Sequence, residues 1–183
     1  MKITLSILTL LTACGLFAAD QTSAVTVTRL STPEKALKFE VVVPAKLEDV
    51  WTAFTTRDGL VTWLWSDVTV ELRDGGDWTV HFPGGKTGGG TITSFKPQRQ
   101  LVMRAMAPEQ FPTVRSERTL ATFDFEPVGA QTRVTLTQTG WKQGKEWDDA
   151  YEYLAKGNAQ LLDQLHYRFV KGPINWNPPA KEE

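Results

Sequence analysis

Trp147-Asp-Asp-Ala-Tyr151-Glu-Tyr-Leu154-Ala-Lys-Gly-Asn158-Ala-Gln-Leu161-Leu-Asp-Gln-Leu165-His-Tyr-Arg-Phe169 is the longest segment of the chain with one unbroken periodicity. Trp147, Tyr151, Leu154, Asn158, Leu161, Leu165 and Phe169 recur every three or four residues. They therefore share one face of a helix of about six turns. Glu152, Lys156, Gln160 and Gln164 fall on the opposite face. A stripe that long must lie on something wide, and the rest of the sequence has to supply it.

The residues upstream read as strands. Leu37, Phe39, Val41 and Val43 alternate with Lys38, Glu40 and Val42, the period-two pattern of a half-buried strand. Pro44 stops it. Leu47, Val50, Trp51 and Phe54 then follow at helical spacing, and a second short helix is expected from Asp58 to Trp65 with Leu60, Trp63 and Leu64 inward. After that come Val68–Leu72, the Asp74-Gly75-Gly76 turn, Trp78–Phe82, Thr91–Phe95, Leu101–Met106, Ala121–Phe125 and Arg133–Thr139. Turn signals at intervals of about ten residues indicate an antiparallel meander. No strand–helix alternation is present, which argues against a parallel dinucleotide-binding sheet. The fold class is thus α+β: a curved antiparallel sheet of about six to seven strands wrapped on a long C-terminal helix, with two short helices after the first strand. A hollow between curved sheet and straight helix is the expected ligand site.

Several motifs support a resemblance. Val50-Trp51-Thr52-Ala53-Phe54, Leu60-Val-Thr-Trp63 and Arg73-Asp74-Gly75-Gly76-Asp77 occur in that order. Gly90-Thr-Ile-Thr-Ser-Phe95-Lys-Pro97 and Thr132-Arg-Val-Thr-Leu-Thr-Gln-Thr-Gly140 follow. Their order and spacing resemble the SRPBCC (START-like) superfamily, and within it the family named for the activator of the heat-shock protein 90 ATPase. The resemblance covers residues 37 to 165. It implies the helix-grip fold and a cavity that in the superfamily often takes apolar small molecules. One departure is local: Gly157-Asn158 stand where relatives often carry Gly-Trp early in the final helix.

Composition narrows the chemistry. Lys plus Arg number 20 and Asp plus Glu 21, for a net charge of −1. No positive field exists to hold a polyanion, so nucleic acid is not an expected partner. A single Cys and two His exclude a Cys/His zinc site, and neither a metal nor a cofactor is expected. Gly84–Gly90 contains Gly-Lys-Thr, but Val80 stands where a phosphate loop needs glycine, and a strand follows instead of a helix. That run is expected to be a flexible hairpin loop. Arg104 is expected either at the surface in an ion pair or buried against an anion.

What the sequence has in excess is aromatic rings: seven Trp, nine Phe and three Tyr. Most are expected to converge on the sheet–helix space, with Trp176 standing apart in the tail. The expected ligand-binding residues are Trp63, Trp65, Trp78, Phe82, Met103, Phe123, Tyr151, Leu154 and Asn158. Asn158 is the polar one, and an inward amide left unpaired costs about 1–3 kcal/mol. No acid–base pair presents itself, so binding of a small, mostly apolar ligand is the first reading. A cyclase- or hydrolase-like enzyme and an envelope protein-interaction module are the alternatives.

The N-terminus reads as an address. Met1-Lys2 precedes Ile3–Ala13, which carries no charge, the plan of a secretory signal. The run is too short to span a bilayer, which takes about 20 residues. Leu11-Thr12-Ala13-Cys14 matches a bacterial lipobox, with Cys14 as the lipidated residue and a lipid anchor as the result. Small residues around Ala18-Ala19 or Thr22-Ser23-Ala24 offer simple cleavage instead. The expected organisation is a signal over 1–19, an N-terminal arm or edge strand over 20–35, the folded domain over 36–171 and a loose tail over 172–183. Export to the periplasm or beyond is the expected localisation, with no transmembrane segment in the mature chain.

Overall fold

The computed structural model describes residues 23–176. Cys14 and the expected signal lie outside the described residues. The chain forms one antiparallel sheet of eight strands in the order β1-β2-β8-β7-β6-β5-β4-β3. The strands are β1 (Thr26–Leu30), β2 (Ala36–Val43), β3 (Val68–Val70), β4 (Asp77–His81), β5 (Thr87–Lys96), β6 (Gln100–Ala105), β7 (Thr119–Val128) and β8 (Gln131–Thr139). Helices α1 (Leu47–Thr55) and α2 (Arg57–Leu60) follow β2, α3 (Pro112–Glu117) joins β6 to β7, and α4 (Lys145–Lys171) ends the fold.

The α+β helix-grip reading holds, with one strand more than expected. The N-terminal arm takes its edge-strand alternative: Thr26–Leu30 is the extra strand, β1, which pairs along β2 from Thr26↔Glu40 to Leu30↔Ala36. Alternation works as read on the central strands: Leu37, Phe39, Val41 and Val43 are buried, as are Val134 and Leu136. The expected strand Val68–Leu72 ends at Val70. Beyond it the chain bends, with the Arg73 amide donating to the Glu71 carbonyl (2.8 Å) before the glycine turn. Pro108 to Pro112 reads as loop, and α3 begins at that second proline, a position that needs no backbone donor.

The glycine run is not a loop throughout. Only Pro83–Gly85 forms a 3-10 turn, and Thr87 to Gly90 is already β5. Gly89 has φ +106, and a Cβ there would sit 2.1 Å from the Trp78 carbonyl oxygen. A Cβ on Gly90 would meet the Arg104 carbonyl oxygen at 2.5 Å. Backbones pass so closely that only glycine fits. A bulge between Ile92 and Ser94 adds to the bend of the same strand.

Two indoles close the end of α1. Trp63 Nε1 donates to the Ala53 carbonyl (2.9 Å) and Trp78 Nε1 to the Phe54 carbonyl (2.8 Å). Both acceptors lie in the last turn, where carbonyls lack helical partners. Phe54 is fully buried between Trp63, Trp78, Phe123 and Phe125, with ring centroids 5.0 to 6.5 Å away. Trp63→Phe removes a donor and leaves the Ala53 carbonyl unpaired in the core. We expect destabilisation of about 1–3 kcal/mol, measured as a lower urea midpoint at an unchanged slope.

Candidate functional site: a hollow between sheet and final helix

α4 does not lie centrally on the sheet. Its buried side chains are Trp147, Ala150, Tyr151, Ala155, Leu162 and Leu165, and it packs chiefly on β2. Leu154, Asn158 and Leu161 belong to the stripe read from sequence but are only half-buried. The helix leans over the β2 side, so these residues overhang the other half of the concave face. Beneath them is a hollow of about 540 Å³, within the range of small-molecule sites.

Small residues keep it open. Gly88, Gly89, Ala105 and Ala121 line the sheet side, and Gly157 lines the helix side. Nothing lies within 4 Å of where a Gly157 Cβ would stand. Trp78, Val80, Met103, Phe123 and Leu136 form the apolar floor, and Leu154 and Leu161 the roof. Phe82, Lys86, Glu109, Gln110 and Tyr153 form the rim.

Of the residues expected to bind a ligand, Trp78, Phe82, Met103, Phe123, Leu154 and Asn158 line this hollow. Phe82 is 40% exposed and stands at the mouth. Trp63, Trp65 and Tyr151 lie elsewhere. Trp63 is fully buried behind Phe54. Trp65 is half-buried at the edge of the core, with its ring tilted against Phe82 (5.4 Å) and Trp176 (5.1 Å). Tyr151 is on the β2-facing side of α4, where its hydroxyl donates to the Ala36 carbonyl (3.0 Å) and its ring meets Trp141 edge-on. Burial raises the Tyr151 phenol above its ordinary pKa. Among the described residues the ring contacts thus form four groups, around Phe54, Trp65, Trp141 and the Phe111–Tyr153 pair, and not one. Trp176 does not stand apart, since its Nε1 also donates to the Val61 carbonyl (2.6 Å).

Asn158 has the partner its position demands. Its Nδ2 donates to Gln138 Oε1 (2.8 Å), and Gln138 Nε2 donates to Thr119 Oγ1 (2.7 Å). Gln138 was not expected at the site, yet it is in phase with Val134 and Leu136 on β8 and could have been read as inward. Arg104 is exposed and donates to the Glu117 backbone carbonyl (3.1 Å), so it joins neither an ion pair nor the hollow. Glu117 pairs with Lys142 instead. His81 Nε2 shares a hydrogen bond with Thr69 Oγ1 (2.9 Å). Among the described residues no group of His, Cys, Asp or Glu is placed to hold a metal ion.

The wall beside the mouth is tied down by one carboxylate. Glu146, at the start of α4, accepts from the Thr113 amide (2.6 Å), the Thr113 hydroxyl (2.7 Å) and the Val114 amide (3.1 Å). It caps the N-terminus of α3 from another element. Arg115 on α3 then donates to the carbonyls of Ala107 (2.6 Å) and Thr87 (3.2 Å), which joins the rim loop to β5.

A family model for Activator of Hsp90 ATPase homolog 1-like protein matches residues 44–169. No curated protein matches this sequence. Among solved structures the chain is similar to the Aha1 dimer from Colwellia psychrerythraea, at 23% identity and a TM-score of 0.63, over 75% of this chain and 97% of that one. It is similar to protein MLL2253 from Mesorhizobium loti at 18% identity and a TM-score of 0.64, over 76% and 99%. CalU16 from Micromonospora echinospora is similar at 19% identity and a TM-score of 0.58, over 84% and 85%. At these identities the likeness is one of fold.

The hydrogen bond from the Thr113 hydroxyl, with the Thr113 and Val114 amides, holds the Glu146 carboxyl below its ordinary pKa. A depressed carboxyl contributes above its unfolded pKa and loses that contribution as pH falls through the folded value. The Thr113 and Val114 amide resonances should therefore shift together in an NMR titration, with a midpoint below the ordinary glutamate range. Glu146→Gln should abolish that shared titration.

Proposed function

The chain belongs to the Activator of Hsp90 ATPase homolog 1-like family, and on that premise we propose that it binds one small, mostly apolar molecule in the hollow under α4. The observation that carries this reading is the paired absence of bulk at Gly157 and at Gly88, Gly89, Ala105 and Ala121. Glycine inside a helix costs about 1 kcal/mol against alanine. A packed core would use the space, whereas a binding site needs it empty. The distribution of charge favours binding over chemistry. Lys86, Glu109 and Tyr153 are the ionisable side chains lining the hollow, and all three are exposed at its rim. No acid–base pair faces the inner end, where a reacting group would be held.

Uptake of diphenylhexatriene, a hydrocarbon that fluoresces when it leaves water, tests the reading. The wild-type chain should take it up saturably. Gly157→Ala should raise thermal stability, by about 1 kcal/mol from helix propensity, and keep uptake. Gly157→Trp should stay folded and lose uptake, because the indole occupies the hollow. Equal uptake by Gly157→Trp and wild type would place the probe elsewhere and end the proposal.

Export belongs to the same proposal, on the evidence of residues 1–19 and Cys14. Fractionation of an expressing bacterium should recover the chain, shortened at its N-terminus, in the periplasmic or membrane fraction. Lipidation at Cys14 predicts that Cys14→Ser moves the chain from membrane to soluble fraction, and cleavage near Ala19 predicts no change. Full-length chain in the cytosol would overturn export.

A further inference from the structure

The two ends of the hollow differ in chemistry. β8 and β4 are four strand spacings apart in the sheet, roughly 19 Å. At the β4 end the wall reaches solvent beside Phe82 and Lys86, both exposed. At the β8 end lie Asn158 and Gln138, and behind them Thr119. Gln138 is 2% exposed and Thr119 3%. Those donations, Asn158 to Gln138 and Gln138 to Thr119, run in one direction. Each amide spends one of its two protons. Among the described residues no donor reaches the side-chain oxygen of Asn158, Oδ1, which stays available on a half-buried residue in the wall of the hollow.

That end is polar but carries no charge. A carboxylate placed there would give up its water and meet only neutral amides, at far greater cost than a hydroxyl that finds a partner. A pure hydrocarbon would leave the Asn158 acceptor unmatched. We infer that the ligand is an uncharged amphiphile: its hydroxyl meets the Asn158–Gln138 pair, and its apolar body runs past Met103 and Phe123 towards Trp78 and the open rim. This inference rests on the binding reading above and specifies which end of the molecule enters first.

Displacement of bound diphenylhexatriene from the full folded chain tests it, with 1-decanol, methyl decyl ether and decanoate as competitors. The hydrocarbon reporter makes no hydrogen bond, so it checks folding and access in every variant. In the wild type, 1-decanol should compete about tenfold better than its methyl ether, the value of one hydrogen bond. Asn158→Leu should erase that preference and weaken 1-decanol about tenfold. Decanoate, whose headgroup stays at the Lys86 rim, should follow the ether and not 1-decanol; the readout is the ratio of competitors within each protein, so any change common to all of them, including that from leaving Gln138 Oε1 without its Asn158 donor, cancels. An alcohol that competes no better than its ether in the wild type, or equally well against Asn158→Leu, would overturn the inference and leave the hollow as an apolar site. A wild-type chain that takes up no diphenylhexatriene would overturn the binding reading, and this inference with it.

Discussion

Closure of the end of α1 by two tryptophans is the constraint on which the rest of the architecture depends. The Ala53 and Phe54 carbonyls sit in the last helical turn and point into the core, where water cannot serve them. Trp63 and Trp78 supply the missing protons and, in doing so, fix α1, the turn that follows α2, and β4 relative to one another. Phe54 fills the centre of the resulting aromatic cluster. Packing of that density makes one end of the sheet solid. The other part of the concave face is then free to remain unfilled without loss of a defined fold.

The hollow follows from an asymmetry in α4. One side of the helix buries Ala155, Leu162 and Leu165, and it packs chiefly on β2. The adjoining side presents Leu154, Gly157, Asn158 and Leu161 to open space. On the sheet, β5 is bent by Gly89 and Gly90 and by its bulge, which draws the floor away from the helix. Curvature and small side chains therefore act together. Neither alone would leave a cavity next to a core that is otherwise closely packed.

Much of this was legible in the residues. Period-two alternation placed β2, β7 and β8 correctly, and the helical stripe identified α4. Periodicity says which side chains share a face but not what lies opposite that face. Hence Leu154 and Ala155 adjoin in sequence and differ in burial, for a reason set by the lean of the helix on β2. The same limit explains the aromatics. Trp65, Trp176 and Phe82 form a tilted cluster of their own beside the mouth of the hollow, which periodicity alone does not indicate. Tyr151 is inward by phase and yet faces Ala36 and Trp141. Gln138 was readable from its phase on β8, and only its partnership with Asn158 required three dimensions. α3 escaped because its start, at Pro112, reads as the end of a loop.

The pairing of β2 with β8 joins strands from opposite ends of the domain, from Leu37↔Gln138 to Val43↔Thr132. β3 to β8, by contrast, pair in sequence order, each with the next strand in the chain. Loop-closure entropy makes the distant pairing slow and the local ones fast. α4 follows β8 in the chain and packs on β2, so the roof of the chamber depends on that long-range ladder. The meander alone would present its apolar floor to solvent; what covers that floor is a helix seated on a strand from the other end of the domain.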